Sequence, residues 1–156
     1  MKTIQLTQNK IAIIDDADYE LVSQYNWYYN EGYAKAYHKG KRIRMHRLIL
    51  NASKGQPVDH RNRNGLDNRR CNIRLCTLQE NNRNITLRKD NTSGYKGVSL
   101  DKTTGHWRPL VFVDGKAKTC GQFKDKRHAA LARDLWATFF HREFASTNFN
   151  VVSRAD

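Results

Sequence analysis

The chain has 156 residues, 38% of them hydrophobic, which allows one domain or two small ones but not one large core. A formal charge of +13 and a pI of about 9.9 call for a polyanionic partner, nucleic acid before membrane. No apolar run nears the length of a spanning helix, no basic segment leads into an apolar signal core, and the three cysteines (Cys71, Cys76, Cys120) form no C-x-x-C pair; a cytoplasmic protein with reduced thiols, no membrane partner and no structural zinc is expected.

Lys2 to Ile14 alternates around a Gln8-Asn9-Lys10 turn and predicts a hairpin. Asp15-Asp16 then precedes Tyr19, Leu21, Val22 and Tyr25, the pattern of a short helix capped by an aspartate. Trp27-Tyr28-Tyr29 and Tyr33 to Tyr37 read as two strands joined by Asn30-Glu31-Gly32, with Tyr33, Lys35 and Tyr37 on one face and Ala34 and Ala36 on the other. Core packing is the favoured reading of these aromatics; base stacking on a groove is the alternative. Lys39 to Arg47, KGKRIRMHR, reads as a basic edge strand with Ile43 and Met45 inward. Its outward Arg42 and Arg44 face either phosphates or plain solvent. For His46, a helix-start histidine satisfied by local hydrogen bonds is favoured over a second catalytic base.

Val58 to Asn84 reads VDHRNRNGLDNRRCNIRLCTLQENNRN. Ile73 and Leu75 alternate with Arg74 and Cys76, as in a half-buried strand. Thr77-Leu78-Gln79-Glu80 fits a capping box. The predicted order is strand, Asn-Gly turn, strand, then a helix from near Leu78. Asp59 and His60 end the first strand, Asn72 begins the second, and Asn81 lies in the first helical turn. Such an arrangement can bring a carboxylate, an imidazole and two carboxamides together. Asp59 Oδ and Asn81 Oδ1 are hard oxygen ligands suited to Mg²⁺. His60 can take a proton from water near neutral pH, and the Asn72 carbonyl can accept the other ring N–H. Metal, base and orienter together suit phosphodiester hydrolysis. Taken one at a time, the same Asn, Asp and Gly residues are ordinary turn formers.

The ordered set D-H, N, capped helix, N resembles the HNH endonuclease family, in the form with asparagine as third member found in phage and intron homing endonucleases. The resemblance covers Met45 to Asn84 and includes the His-Arg-Leu segment at His46. It implies a ββα-metal fold around one divalent ion, Mg²⁺ or another such as Mn²⁺. Carried over, Asp59 and Asn81 bind metal, His60 is the general base, and Asn72 orients His60. It also implies a homing or mobile endonuclease of phage type, working in the host cytoplasm and leaving 5′-phosphate and 3′-hydroxyl ends. Arg61, Arg63, Arg69 and Arg70 lie between the two strands of the motif and Arg74 on the second; their guanidinium forks suit DNA phosphates, or form a solvated basic loop. One site per chain implies a nick by a monomer or a double-strand cut by a dimer.

From Asn84 to Ser93 the sequence is polar, basic and without period, and reads as a linker. The expected domains are 1–90, nuclease with a β-rich N-terminal extension, and 91–156, DNA-binding. In the second, Tyr95 to Leu100, His106 to Val113 and Ala117 to Phe123 read as strands, with Asp114-Gly115 as a hairpin turn. A helix capped by Asp125 follows, with Ala129, Ala132, Trp136 and Phe139 on one face, widened by Leu135 and Phe140. Three antiparallel strands covered by one helix make a small α+β domain. This string resembles the AP2 DNA-binding domain, on Tyr95-Lys96-Gly97-Val98, Trp107-Arg108, Cys120 to Phe123 and Ala145 to Phe149. That resemblance implies a sheet in the major groove with Lys96 and Arg108 toward DNA. Lys116 and Lys118 add phosphate contacts or stay solvated. Ser99, Leu110, Phe112, Ala117 and Thr119 depart from the plant pattern, and Pro109 in the central strand needs a gap or bulge. The whole chain is thus expected to be an α+β, Mg²⁺-dependent endonuclease acting on double-stranded DNA. A non-catalytic DNA-binding regulator with a degenerate HNH scaffold is the alternative, and an RNA nuclease a third reading.

Overall fold

Local alternation becomes hairpins at the start of the chain and again near its end. The computed structural model describes residues 1–84 and 86–149. Ile85, in the expected linker, and residues 150–156, at the end of the expected second domain, lie outside them. The chain is α+β and divides into two units, Met1–Asn82 and Arg83–Asp156. No helix among the described residues is long and apolar enough to cross a membrane.

In the first unit β1 (Lys2–Gln5) pairs antiparallel with β2 (Ile11–Ile14), Lys2 opposite Ile14. A 3-10 turn, Asp16–Asp18, leads into α1 (Tyr19–Ser23). The aspartate cap expected here does not form. Asp15 makes no capping bond; its Oδ2 accepts the Arg70 backbone N–H at 2.8 Å instead, a partner far along the chain. Next come β3 (Tyr28–Asn30), β4 (Tyr33–His38) and β5 (Lys41–Arg44), in that spatial order with β5 at an edge, then α2 (Met45–Ile49). Ala34, Ala36, Met45, Ile49, Ile14 and Val22 are buried in one core.

Trp27 is buried in that core and Tyr29 packs against it, as the core-packing reading expects, but the opposite face of the sheet departs from it. Lys35 is buried, with its ammonium donating to Asn30 and, at 2.8 Å, to Glu31. Tyr37 is 62% exposed, stacked on Tyr28 at 5.9 Å between centroids, with the Arg42 guanidinium 6.0 Å from its ring. This face therefore carries exposed aromatic and cationic groups side by side.

The first unit closes with β6 (Val58–His60) paired antiparallel to β7 (Ile73–Leu75), followed by α3 (Leu78–Arg83). The expected alternation in β7 fails. Ile73 and Cys76 are buried but Leu75 is 48% exposed, and the Arg74 side chain is nine-tenths buried.

In the second unit β8 (Val98–Asp101), β9 (His106–Val113) and β10 (Lys116–Thr119) form one antiparallel sheet with β9 central. The third strand stops at Thr119, short of the expected Phe123, which rejoins β9 only through a bridge to Trp107. Pro109 sits in that interval. Its carbonyl accepts Cys120 N–H at 3.2 Å, beyond the last β10 pair, Thr119 with Leu110. Its missing N–H points to the same side, so the lost bond falls in the gap.

Helix α4 (Lys126–His141) packs on β8 and β9, and Asp125 caps it, its Oδ1 accepting Arg127 N–H at 2.7 Å and His128 N–H at 3.0 Å. Of the predicted face Ala129 is buried, but the rest of the buried face is different. Ala129, Ala130, Arg133, Asp134, Ala137 and His141 point inward, while Leu135 and Phe139 are exposed. Polar residues win that face through specific partners. Asp134 accepts the backbone N–H groups of Asn148 and Phe149, and Arg133 donates to the Ser146 carbonyl. Asn148 in turn bonds both backbone groups of Lys96. Gly97 is required at this junction: its φ is +68°, and a Cβ there would sit 2.7 Å from the Leu110 carbonyl oxygen.

Candidate active site

The loop between β6 and β7 is built from asparagine bonds to nearby backbone, with Leu66 as its one contact to the hydrophobic core among the described residues, which is why a mostly polar stretch holds one shape. Asn62 Oδ1 accepts Asn64 N–H at 2.9 Å and Asn64 Oδ1 accepts Leu66 N–H at 3.1 Å. Strand β2 then anchors it. Ile13 N–H donates to the Leu66 carbonyl and Asn68 N–H to the Ile13 carbonyl, both at 2.8 Å. A Cβ on Gly65 would lie 2.4 Å from the Gly32 carbonyl oxygen and 2.6 Å from the Tyr33 ring, so this close approach of loop to hairpin needs glycine.

Asn72 does not perform the expected orienting of the His60 ring by a direct bond. Its Oδ1 accepts Asn62 N–H at 3.0 Å and its Nδ2 donates to the Asp67 carbonyl at 2.7 Å, so it locks the loop that carries His60. The carboxamide at the ring is Asn68, fully buried, with Oδ1 3.4 Å from His60 Nε2. Asp67 holds the same loop, accepting from Asn62 Nδ2 at 2.8 Å and from the Arg69 fork at 2.7 Å; Arg69 holds its carboxyl below the usual range. Sequence reading passed over Asp67 and Asn68. Their only signal was a D-N pair inside a run of turn formers.

His60 is buried, and that burial depresses its pKa below the ordinary imidazole value; Asn68, Asp59 and Asp67 pull weakly the other way. The ring is therefore neutral near pH 7. His46, on α2, lies edge-to-face with it at 4.8 Å. The expected local hydrogen bonds of His46 are not made: its buried Nδ1 has no partner among the described residues. Its pKa is pushed down to about 3 by burial first, then by His60, Arg44 and Arg47.

Asp59 is buried beside Arg74, its partner across the β6–β7 pair. Its Oδ2 accepts Arg74 Nε–H at 3.0 Å and Nη2–H at 2.7 Å. Arg74, expected at DNA, is thus an interior counter-ion, because a buried carboxylate needs one. Arg69 is likewise engaged by Asp67, and Arg70 by Asp18 at 2.7 Å and the Ile49 carbonyl at 3.1 Å. Arg42, Arg44, Arg61 and Arg63 are exposed. Arg74→Met is expected to destabilise the first unit by about 3 kcal/mol, since it strands a buried carboxylate. Urea unfolding of the full chain measures this, and a loss below about 1 kcal/mol would show the pair to be dispensable.

The capping box forms as predicted. Thr77 N–H donates to Glu80 Oε2 at 2.7 Å, and Glu80 N–H donates to Thr77 Oγ1 at 3.2 Å. It fixes the start of α3, and with it the half-buried Asn81. Burial first, then the Asp59 and Glu80 carboxylates, raise the Cys76 thiol pKa. No group of three or more His, Cys, Asp or Glu residues able to hold a metal ion occurs among the described residues. Of the two expected metal ligands, Asp59 carries a carboxylate and Asn81 a carboxamide. Hard oxygens with few protein ligands fit a hydrated ion such as Mg²⁺.

In the second unit Arg108 pairs loosely with Asp101 at 3.5 Å. Lys116 and Lys118 are exposed, and Lys118 lies 5.3 Å over the Phe140 ring. Lys96, half-buried, donates its ammonium to the Arg83 carbonyl.

No family model matches the chain, and no solved structure matches it significantly. Protein 3.8 of Escherichia phage T7 is 41% identical over 63 residues, 40% of this chain and 52% of that protein, so the chain spans about half the length of this relative. An uncharacterized HNH endonuclease of Acanthamoeba polyphaga mimivirus is 31% identical over 144 residues, 88% of this chain and 74% of that protein. The chain belongs to the HNH endonuclease family. The HNH match is longer than the whole first unit, so the likeness runs into the second. The AP2 likeness of the second unit finds no support among these HNH and phage relatives.

Proposed function

We propose that this chain is a metal-dependent DNA endonuclease of the homing or mobile type, with a ββα-metal centre in the first unit and an AP2-like, groove-binding second unit. The observation that carries the reading is a buried imidazole, neutral near pH 7, next in sequence to a buried carboxylate and followed by a capped helix bearing Asn81.

In this reading His60 takes the proton from the attacking water. Asn68 touches the ring, while Asn72 pins the loop through Asn62 and Asp67. Asp59, oriented by Arg74, and Asn81 hold the divalent ion, Mg²⁺ or Mn²⁺. When bound, that ion supplies positive charge where negative charge grows on the phosphate. Arg61 and Arg63, exposed on the loop that follows His60, hold the backbone near the scissile bond, leaving 5′-phosphate and 3′-hydroxyl ends. Arg42 and Arg44 hold phosphates further out. In the second unit Arg108, Lys116 and Lys118 face the duplex, with Lys96 as a weaker contact because its ammonium is already bonded. Covalent linkage of the units raises the local concentration of DNA at the cleavage centre.

Purified protein incubated with plasmid DNA tests this. Nicking or linearisation is expected with Mg²⁺ and not with EDTA, and Asn81→Ala should raise the Mg²⁺ needed by at least about tenfold. DNA binding with no metal-dependent cleavage of any DNA would return the chain to a non-catalytic regulator. Arg42→Ala is expected to weaken binding equally across sequences and to lower the slope of log affinity against log salt by about one. A slope unchanged in a binding titration would take Arg42 off the phosphate path.

A further inference from the structure

Three rings meet where β6 ends. His46 and His60 lie 4.8 Å apart at 86°, Tyr33 and His46 5.4 Å apart at 60°, and Tyr33 and His60 5.9 Å apart at 48°. The torsion that sets an imidazole plane is broad and roughly two-fold, so the plane must be imposed by neighbours. The contact from His60 Nε2 to Asn68 Oδ1, at 3.4 Å, is long for that purpose, whereas two rings lie directly against the imidazole. The His46 ring is well fixed. It is 4% exposed, on a short helix whose Met45 and Ile49 are also buried. Its neighbour Arg47 ties α2 to the next loop by donating to the carbonyls of Ser53 at 2.6 Å and of Gln56. Tyr33 is fixed by the Gly65 loop on its ring. Nothing else the site does accounts for His46. Its orphaned Nδ1 makes it worse for stability than an apolar ring of the same shape.

From this geometry we infer that His46 and Tyr33 are positioning residues that together clamp the His60 imidazole in the plane needed for proton abstraction. The inference rests on the proposed role of His60. His46 does not itself take the proton: it is 4% exposed, and its pKa, pushed down to about 3, makes it a weak base.

Two variants of the full chain test it. His46→Ala removes the ring and is expected to lower kcat for plasmid nicking by about tenfold or more, with KM within about twofold of wild type. His46→Phe keeps the ring and loses the nitrogens; its kcat is expected within about threefold of wild type. Equal losses in both variants, full activity in His46→Ala, or a loss confined to KM would each overturn the clamp. Should His46→Ala not fold, Tyr33→Leu takes its place with the same expectation. Side-chain NMR of His60 supplies a readout independent of cleavage. Its ring protons are expected to carry shifts from the neighbouring rings that largely survive in His46→Phe and collapse in His46→Ala. Unchanged His60 shifts in His46→Ala overturn the inference even in a protein that cuts nothing. A wild type that never nicks overturns only the proposed function.

Discussion

His60→Ala is expected to lower the rate of Mg²⁺-dependent nicking by about 10²- to 10⁴-fold, the usual worth of a general base. The loss should fall on kcat and spare KM. DNA is held in this reading by exposed arginines, Arg42, Arg44, Arg61 and Arg63, all of which the substitution leaves in the chain. His60→Asn, closer in volume, should lose as much rate with less disturbance of the packed rings. No other imidazole is suited to replace it in the site. His46 is adjacent, yet with its pKa near 3 it is a weak base as well as a buried one. A His60→Ala protein that nicks as fast as wild type places the base elsewhere, whatever the fate of the metal ligands.

Acidification is expected to remove roughly 4–5 kcal/mol of first-unit stability through His46 alone between pH 6.5 and pH 3. In the unfolded chain His46 takes a proton near its ordinary 6.5; folded, it resists until about pH 3. Protons therefore bind the unfolded state first, and stability is complete above 6.5 and falls by about 1.4 kcal/mol per pH unit below it. The side chain is only 4% exposed, so solvent screening does little to soften the effect. His60, also depressed by burial, adds loss of the same sign. Urea unfolding at pH 7 and at pH 4.5 reads this directly. His46→Phe should be flatter with pH and at least as stable at neutrality. Parallel pH dependences in the two proteins would mean that His46 is protonated in the fold without cost.

Features made by neighbours in the chain are the ones the sequence displays. The Thr77–Glu80 cap needs two residues three apart, the Asp125 cap two adjacent N–H groups, and the hairpins at Lys2–Ile14 and His106–Thr119 a turn between alternating runs. The gap at Pro109 belongs with them, because a residue without an N–H announces where a ladder must break. The family likeness rests on similarly ordered short motifs, and a relative matched over 88% of the chain supports it.

Distance along the chain hides the rest. Arg74 reads as a surface arm until Asp59, fifteen residues earlier, is found across the β6–β7 pair. Asn72 and Asn68 cannot be ranked by pattern. Which one touches His60 depends on the β6–β7 loop bonding to Ile13 of β2, which seats Asn68 in the interior. The inward face of α4 was misread for the same reason. Apolar periodicity favours Leu135 and Phe139, but an ion pair joined to Ser146 and Asn148 outweighs it. Composition, charge and local chemistry suffice for a basic α+β chain carrying an ordered D-H, N, N set. Which carboxamide meets the imidazole, which arginine is interior, and which rings surround His60 are settled by contacts between distant segments. A buried polar group takes whatever partner the fold brings to it, and no local rule names that partner.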